Sequence, residues 1–185
     1  METSRERKAS SLLVLGGARS GKSAFAQAQA EASRFELVFV ATAQAYDAEM
    51  EVRIAAHARV RNSRWRLIEA PLDLTGTVMA AAGPDRVLVV DCLTLWLTNI
   101  MLRGDDVDAA ADALVSAVPG LKGPVIFVSN EVGSGIVPEN ALARRFRDAQ
   151  GRLNRVMAQA CDGAVLVTAG LPFILKPGPS SKVWF

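Results

Sequence analysis

Residues 12–23 read LLVLGGARSGKS, an apolar run that passes into a glycine-rich loop with the spacing GxxxxGKS. In such a loop the glycines let successive backbone N–H groups converge on phosphate oxygens, and the N-terminus of the following helix favours negative charge. Leu12–Leu15 supplies the strand before the loop, and the alanine-rich Ala24–Ala32 is typical of the helix after it. The stretch therefore predicts a phosphate-binding loop at a strand-to-helix junction.

The loop also predicts a role for its individual residues. Lys22 is expected to reach the β- and γ-phosphates of a nucleoside triphosphate, and the Ser23 hydroxyl to ligate Mg²⁺. Arg19 is a candidate phosphate clamp, although a solvated loop charge is an equal reading. The predicted phosphate contacts are Gly16, Gly17, Ala18, Arg19, Ser20, Gly21, Lys22 and Ser23.

Short apolar runs alternate with helix-compatible stretches along the rest of the chain. Their richness in Val, Leu and Ile is typical of strands that are buried on both faces of a parallel sheet. The runs are Leu37–Val40, Trp65–Ile68, Val87–Val90, Val125–Val128, Ala164–Val167 and, as an edge strand, Phe173–Lys176. The pattern predicts a single α/β P-loop domain with a mostly parallel sheet and helices on both faces, but not the order of the strands.

Two further helices are predicted from composition and periodicity. Asp47–Arg61 is one, and Glu139–Ala160 is the other, with Pro138 in its first turn. The apolar stripe expected along the second helix is Leu142, Phe146, Ala149, Leu153, Val156, Met157 and Ala160.

Composition limits the classes of protein that the chain can be. With 185 residues, 50% of them hydrophobic, it has the material for one core. We expect a domain over 12–176 between a flexible extension, 1–11, and a tail, 177–185. A net charge of +2 with dispersed basic residues does not favour a nucleic-acid partner. The polar N-terminus and the lack of a membrane-length apolar run indicate a cytoplasmic protein, in which Cys92 and Cys161 are structural thiols.

An acidic residue follows the third apolar run. In Val87-Leu88-Val89-Val90-Asp91 the carboxylate lies at the carboxyl end of a buried strand, where it is able to hold Mg²⁺ directly or through water. Strands often end in Asp for reasons of turn geometry, so the pattern is weak alone. Combined with the loop, it makes Asp91 the favoured metal ligand. The glycine-rich Asn130–Gly135 follows the next strand at the same edge, with a plain surface loop as the competing reading.

The single histidine, His57, lies within the predicted helix Asp47–Arg61. It shares a helical face with Met50 and Ile54, so spacing alone favours a packed or surface histidine over a catalytic one. The chain lacks the Asn-Lys-x-Asp motif that reads guanine in switch GTPases, which argues against that class.

Six segments of the chain occur in the order found in one enzyme family. They are the phosphate loop, Val40–Ala43, Arg53–His57, Trp65–Glu69, Asp91–Thr94 and Ser129–Asn140. Over roughly Leu12 to Lys176 the chain resembles the bifunctional adenosylcobinamide kinase / adenosylcobinamide-phosphate guanylyltransferase family of cobalamin synthesis. The ordered combination is far more specific than the loop alone.

The resemblance implies a RecA-like sheet, a homotrimer and two consecutive reactions. Adenosylcobinamide is phosphorylated from ATP or GTP, and GMP from GTP is then transferred to adenosylcobinamide phosphate by way of a guanylylated histidine, here His57. Glu69 is the candidate guanine reader, although an exposed acid at a strand end is nearly as good a reading. The nucleotide contacts implied outside the loop are Ala41, Thr42, Ala43, Ala58, Arg59, Val60, Arg61, Glu69 and Asp91.

Two departures and two alternatives accompany the resemblance. Some members carry two adjacent histidines where this chain has Ala56-His57, and a glycine-containing segment where it has Ala58–Arg61. The alternatives are a P-loop kinase of another small metabolite, in which His57 is structural, and a nucleotide-binding regulatory module.

Overall fold

A single sheet organises the part of the chain that the computed structural model describes, residues 11–45 and 63–176. Its strands are β1 (Ser11–Gly16), β2 (Glu36–Ala41), β3 (Trp65–Glu69), β4 (Arg86–Asp91), β5 (Val125–Asn130), β6 (Gly163–Thr168) and β7 (Leu171–Lys176). The spatial order is β3-β2-β4-β5-β1-β6-β7. All neighbouring pairs are parallel except β6 and β7, which are antiparallel. The mostly parallel sheet and the edge strand after Thr168 are confirmed.

Helices cover both faces of this sheet, as predicted. They are α1 (Lys22–Glu31), α2 (Leu74–Ala81), α3 (Leu93–Arg103), α4 (Val107–Ala117) and α5 (Ala141–Ala160). Helix α1 packs on one face, and α2 to α5 pack on the other. The predicted helix Asp47–Arg61 lies outside the described residues, as do residues 1–10 and 177–185. None of the described helices combines the length and the apolar character that crossing a bilayer requires.

Alternation along each strand decides which helix a side chain meets. On β1, Leu12 and Val14 share a buried cluster with Ala26 and Ala30 of α1. Leu13 packs instead into the cluster formed with α2 to α5. Because successive side chains point to opposite faces of a sheet, the same alternation assigns a face to each residue at the ends of the strands.

Strand β1 and helix α1 both begin earlier than their sequence patterns predict. The backbone N–H of Ser11 and its Oγ donate to Asp162 Oδ2 at 3.1 and 2.9 Å, which joins Ser11 to the strand. Helix α1 begins at Lys22 because Gly21 serves as its N-cap. The helix therefore starts inside the loop.

The predicted start of the longest helix was wrong by two residues. The side chain of Asn140 accepts hydrogen bonds from the N–H groups of Leu142 and Ala143 at 2.8 and 3.1 Å, so α5 begins at Ala141. Asparagine is among the best N-cap residues, and it outweighs the preference of Pro138 for a first turn.

The apolar stripe predicted for this helix was also partly wrong. Leu142 is 52% exposed, whereas Gln150 and Asn154 are buried beside Leu153 and Met157. Both polar side chains are hydrogen-bonded to Ser129 of β5 at 2.7–2.9 Å. Hydrophobic periodicity cannot reveal polar residues whose burial is compensated by hydrogen bonds.

Candidate functional site

The predicted phosphate loop connects the buried end of β1 to the start of α1. Gly21 adopts a left-handed conformation, φ 93°, at the N-cap of α1, and its lack of a side chain leaves the first N–H groups of the helix without a side-chain cap. Arg19 also has a positive φ, 54°. The loop thus presents an uncapped helix N-terminus, which is a favourable position for an anion.

Two glycines are required by the packing of this loop. A Cβ on Gly16 would lie 2.6 Å from the carbonyl oxygen of Val167 and would also collide with Ser20 Oγ. A Cβ on Gly21 would lie 3.2 Å from the Cα of Gly170. The loop is therefore pressed against the end of β6, and its shape depends on the missing side chains.

Two side chains of the loop have polar groups placed for a ligand. Lys22 Nζ donates to the carbonyl oxygen of Gly17 at 3.2 Å, so the ammonium lies over the loop. Ser20 Oγ is buried, and within the described part of the chain it has no hydrogen-bond partner. A hydroxyl is able to donate to a phosphate oxygen, and burial without a partner carries a free-energy penalty that such a ligand would remove.

The carboxyl ends of five parallel strands form the edge beside the loop. Ala41 of β2 is aligned with Glu69 of β3 on one side and with Asp91 of β4 on the other. Gly16 of β1 is aligned with Asn130 of β5. On each of these strands, alternate residues nearer its start belong to the buried cluster that includes α1; on β3 that residue is Trp65. All five residues at the strand ends therefore lie on the α1 face. The structure thus brings the loop, Asp91 and Glu69 to one edge and one face.

Asp91 is separated from the loop by a single strand, β5, which lies between β4 and β1. The neighbouring thiol, Cys92, is buried, and this burial, together with the negative charge of Asp91, raises its pKa to about 11. Burial likewise raises the pKa of Cys161 to about 12. Both thiols are unpaired and remain protonated near neutral pH, which supports the structural role predicted for them.

Thr42, one of the predicted nucleotide contacts, has a hydroxyl that is committed to the backbone. Its Oγ1 donates to the carbonyl oxygen of Cys92 at 2.7 Å and accepts from the Cys92 N–H at 2.8 Å. The side chain is fully buried. Ala41 and Ala43, on either side of it, are partly exposed. In this arrangement Ala41 and Ala43 offer surface to a ligand, and the Thr42 hydroxyl does not.

Glu69 lies at the end of β3, which is an edge strand. Its side chain is exposed. The Ala70 N–H that follows donates to the carbonyl oxygen of Ala41 at 2.8 Å, which keeps the strand end paired with β2. The carboxylate of Glu69 therefore projects from a strand end whose backbone is hydrogen-bonded to β2, on the outermost strand of the sheet.

The predicted residues His57, Ala58, Arg59, Val60 and Arg61 lie outside the described residues. The chain enters that segment from residues 42–45, which leave the sheet next to Asp91 at the carboxyl edge. It returns at residue 63, before β3 begins at Trp65.

The segment after β5 contacts the phosphate loop directly. The N–H of Glu131 donates to the carbonyl oxygen of Gly16 at 3.0 Å.

Arg144, a basic residue of α5, donates from Nη1 to the carbonyl oxygens of Pro138 and Glu139, the former at 2.9 Å. This guanidinium binds the chain segment that precedes its own helix.

A polar network behind this edge was missed by sequence reasoning. Thr94 Oγ1 accepts from the N–H of Asn130 at 2.8 Å, and Asn154 Nδ2 donates to the carbonyl oxygen of Asn130 at 2.9 Å. Gln150 Nε2 donates to Asn154 Oδ1 at 2.9 Å. The one signal in the sequence was polar residues at Gln150 and Asn154 within a predicted helix, four residues apart on the same side as Leu153 and Met157.

Comparison with known proteins decides the family. Residues 12–175 match the family model of cobinamide kinase / cobinamide phosphate guanyltransferase. The chain belongs to this family. One member, the bifunctional adenosylcobalamin biosynthesis protein CobP of Pseudomonas aeruginosa, is 46% identical over 169 residues, covering 90% of this chain and 98% of that protein. The CobU protein of Salmonella typhimurium is 37% identical over 180 residues, covering 89% and 99%.

Solved structures agree on the fold of this family member. The protein PH0250 of Pyrococcus horikoshii has a TM-score of 0.58 at 11% identity, covering 96% of this chain and 90% of that one. The RadB recombinase has a TM-score of 0.50 at 17% identity, covering 86% and 75%. At these identities the likeness concerns fold alone, and it confirms a RecA-like α/β domain. Family membership makes the chain a nucleotide-binding transferase of cobalamin biosynthesis.

Proposed function

We propose that this protein phosphorylates adenosylcobinamide from ATP or GTP and then transfers GMP from GTP to adenosylcobinamide phosphate. The observation that carries the proposal is the uncapped phosphate loop at the β1–α1 junction, within a chain whose residues 12–175 match the family. Family membership supports these two reactions over a kinase of another metabolite or a regulatory module.

In the kinase reaction the substrate hydroxyl oxygen attacks the γ-phosphorus and the bond to the bridging oxygen breaks. ADP or GDP leaves, and the hydroxyl proton passes to solvent. The protein positions the phosphates and stabilises their charge through the loop amides, Lys22 Nζ and Ser20 Oγ. Lys22 lies over the loop, and the buried Ser20 hydroxyl has no acceptor among the described residues. Both observations support a role in binding phosphate.

Mg²⁺ is the expected companion of the nucleotide, and Ser23 and Asp91 would hold it. A hydroxyl and a carboxylate are oxygen ligands suited to this ion, which commonly binds through one or two carboxylates, substrate phosphates and water. Among the described residues there is no cluster of three or more His, Cys, Asp or Glu side chains that would favour an all-protein metal cage. When bound, the ion would neutralise charge on the phosphates.

In the second reaction His57 would serve as the nucleophile. A neutral imidazole nitrogen attacks the α-phosphorus of GTP, pyrophosphate leaves, and a phosphoramidate joins GMP to the ring. A phosphate oxygen of adenosylcobinamide phosphate then attacks the same phosphorus, and the imidazole departs. The resemblance of the segment that ends at His57 to the family pattern supports this role.

Glu69 would read the guanine base of GTP. A carboxylate offers two acceptor oxygens, which match the N1–H and the exocyclic amine of guanine. The exposed carboxylate at the end of β3, on the same face as Asp91 and the loop, supports this assignment.

We extend the proposal to a cytoplasmic homotrimer, on the strength of the family resemblance. Sedimentation velocity of the purified protein tests the assembly, and a monomeric species at all concentrations would argue against it.

The two-reaction proposal is tested with GTP that is labelled at either the α- or the γ-phosphate. We expect the γ-label to pass to adenosylcobinamide, and the α-label to appear first on the protein and then on the phosphorylated product. Transfer of the γ-label alone would support a simple kinase, and bound GTP with no transfer would support a regulatory module.

A further inference from the structure

Asn130 lies between the phosphate loop, which follows β1, and Asp91, which ends β4. It ends β5, which lies between β1 and β4. Its register partner is Gly16, the first residue of the phosphate loop. The preceding alternate residue, Val128, belongs to the buried cluster that includes Ala26 of α1, so the side chain of Asn130 lies on the face where Lys22 and Asp91 are found.

The backbone N–H and the backbone carbonyl oxygen of Asn130 are both hydrogen-bonded to side chains. Its N–H donates to Thr94 Oγ1 at 2.8 Å, and its carbonyl oxygen accepts from Asn154 Nδ2 at 2.9 Å. Asn154 is itself held by Ser129 Oγ and Gln150 Nε2, and Gln150 is completely buried. A polar network of this kind restricts the position from which the Asn130 side chain projects.

The side-chain oxygen of Asn130 is buried, and within the described ranges it has no hydrogen-bond partner. A buried acceptor without a donor is unfavourable and uncommon in folded proteins. Phosphate oxygens and the carboxylate of Asp91 are acceptors, so neither is able to satisfy it. The complement that this atom lacks is an O–H or N–H donor, and a water molecule bound to a ligand is such a donor.

We propose that Oδ1 of Asn130 accepts a hydrogen bond from a water molecule of the Mg²⁺–nucleotide complex, which makes Asn130 a positioning residue for that complex. The proposal rests on the proposed function, because it requires the metal that Ser23 and Asp91 would hold. Mg²⁺ usually keeps several of its water molecules when it binds to proteins, and these are strong donors. Asn130 is in register with the loop on one side and adjoins β4 on the other.

The test compares GTP binding with and without Mg²⁺ by titration calorimetry, in the full chain and in three variants. Asn130→Leu keeps a similar volume and removes the acceptor. Asn130→Asp keeps an acceptor oxygen and replaces the amide donor. Asn140→Asp is the matched control, since it adds the same charge after the same strand and an aspartate caps α5 equally well.

We expect Asn130→Leu to reduce the Mg²⁺-dependent gain in GTP affinity by about tenfold, the effect of one hydrogen bond, and to leave metal-free GTP affinity unchanged. Asn130→Asp should keep the Mg²⁺-dependent gain, as should Asn140→Asp. If Mg²⁺ increased the GTP affinity of Asn130→Leu as much as that of the wild type, the inference would be overturned. A fall in GTP affinity in Asn130→Leu that is equal with and without Mg²⁺ would also overturn it, because it would assign the Asn130 amide as a donor to phosphate.

Two outcomes separate this inference from the proposed function. If the wild-type protein fails to bind GTP under both conditions, the proposed function fails. If wild-type binding responds to Mg²⁺ and Asn130→Leu responds equally, the inference alone fails. Thermal unfolding establishes that each variant is folded, and if Asn130→Leu is not, retention or loss of the gain in Asn130→Asp decides the question.

Discussion

Thr42 and Cys92 are joined by a reciprocal pair of hydrogen bonds across the ends of β2 and β4. The threonine hydroxyl donates to the cysteine carbonyl at 2.7 Å and accepts from the cysteine N–H at 2.8 Å. Asn99 adds a third contact, since its Nδ2 donates to the carbonyl oxygen of Thr42 at 2.8 Å. The Thr42 hydroxyl thereby restrains the backbone of Cys92, and with it the adjacent Asp91, the proposed metal ligand.

Replacement of Thr42 by Val should destabilise the protein. Valine has nearly the same shape, but it leaves the buried N–H of Cys92 without an acceptor, at a cost of roughly 1–3 kcal/mol. The free energy of unfolding in urea measures the effect. Thr42→Ser retains the hydroxyl and should lose much less, so equal losses in the two variants would contradict a hydrogen-bonding role.

Replacement of Lys22 by Ala should weaken nucleotide binding and abolish both reactions. The lysine donates only to the Gly17 carbonyl in the described hydrogen bonds, so we expect the fold to be retained. Loss of a charged hydrogen bond to phosphate corresponds to roughly 10- to 100-fold in affinity. Calorimetric titration with GTP measures it. Lys122→Ala, an exposed residue just before β5 at the amino ends of the strands, should behave like the wild type. Near-normal turnover by Lys22→Ala would refute the phosphate-loop assignment.

Replacement of Glu69 by Gln should reduce the preference for GTP over ATP. One acceptor oxygen becomes a donor that faces the donors of guanine, which we expect to lower GTP affinity by about tenfold or more and to change ATP affinity little. Competition binding of the two nucleotides measures the ratio. Glu36→Gln, an exposed acid at the opposite end of β2, is the control. An equal fall for GTP and ATP would show that Glu69 does not read the base.

Alkaline pH should destabilise the folded protein through its two thiols. Burial raises the pKa of Cys92 from 9.0 to about 11 and that of Cys161 from 9.0 to about 12. The stability contribution is complete below pH 9.0, because both states are then protonated. Above that pH the unfolded chain releases protons first, so stability falls as pH rises, by up to about 1.4 kcal/mol per pH unit for each thiol.

Urea unfolding from about pH 8 to about pH 11 measures this dependence. Cys92→Ala should show a shallower decline than the wild type over the same range. Identical slopes would mean that Cys92 does not titrate on unfolding.

Replacement of His57 by Ala or Asn should abolish covalent guanylylation and spare the kinase reaction. Incubation with α-labelled GTP and Mg²⁺ should leave label on the wild-type protein that acid releases and alkali does not, as expected of a phosphoramidate. Transfer of the γ-phosphate goes directly to the substrate hydroxyl and needs no histidine. Stable α-label on His57→Ala would remove the assignment, and loss of both reactions in a folded variant would indicate a general role in nucleotide binding.

Prediction from sequence succeeded best where one backbone requirement selects the residues. The glycine-rich connection from β1 to α1 needs glycine at fixed spacing, and the buried strands need continuous apolar runs, so the strand-loop-helix unit and the fold class are both confirmed, while phosphate binding by the loop stays a prediction. The sequence pattern places the start of α5 at Glu139, whereas the side chain of Asn140 caps the helix and moves its start to Ala141. Gln150 and Asn154 were missed, because hydrogen bonding to Ser129 is invisible to a hydrophobic pattern.

The sequence alone determined the parallel α/β class, the glycine-rich loop between a strand and a helix, and the family, because local spacing and ordered motifs are properties of the chain itself. The tertiary structure decided which strand ends become neighbours. β5 lies between β1 and β4, so Asn130, far along the chain from both Gly16 and Asp91, separates them in space. It also decided that the Thr42 hydroxyl is consumed by Cys92 and that the Asn130 oxygen is buried without a donor. Strand order and the pairing of buried hydrogen-bonding groups depend on contacts between distant segments, which form only when the chain folds.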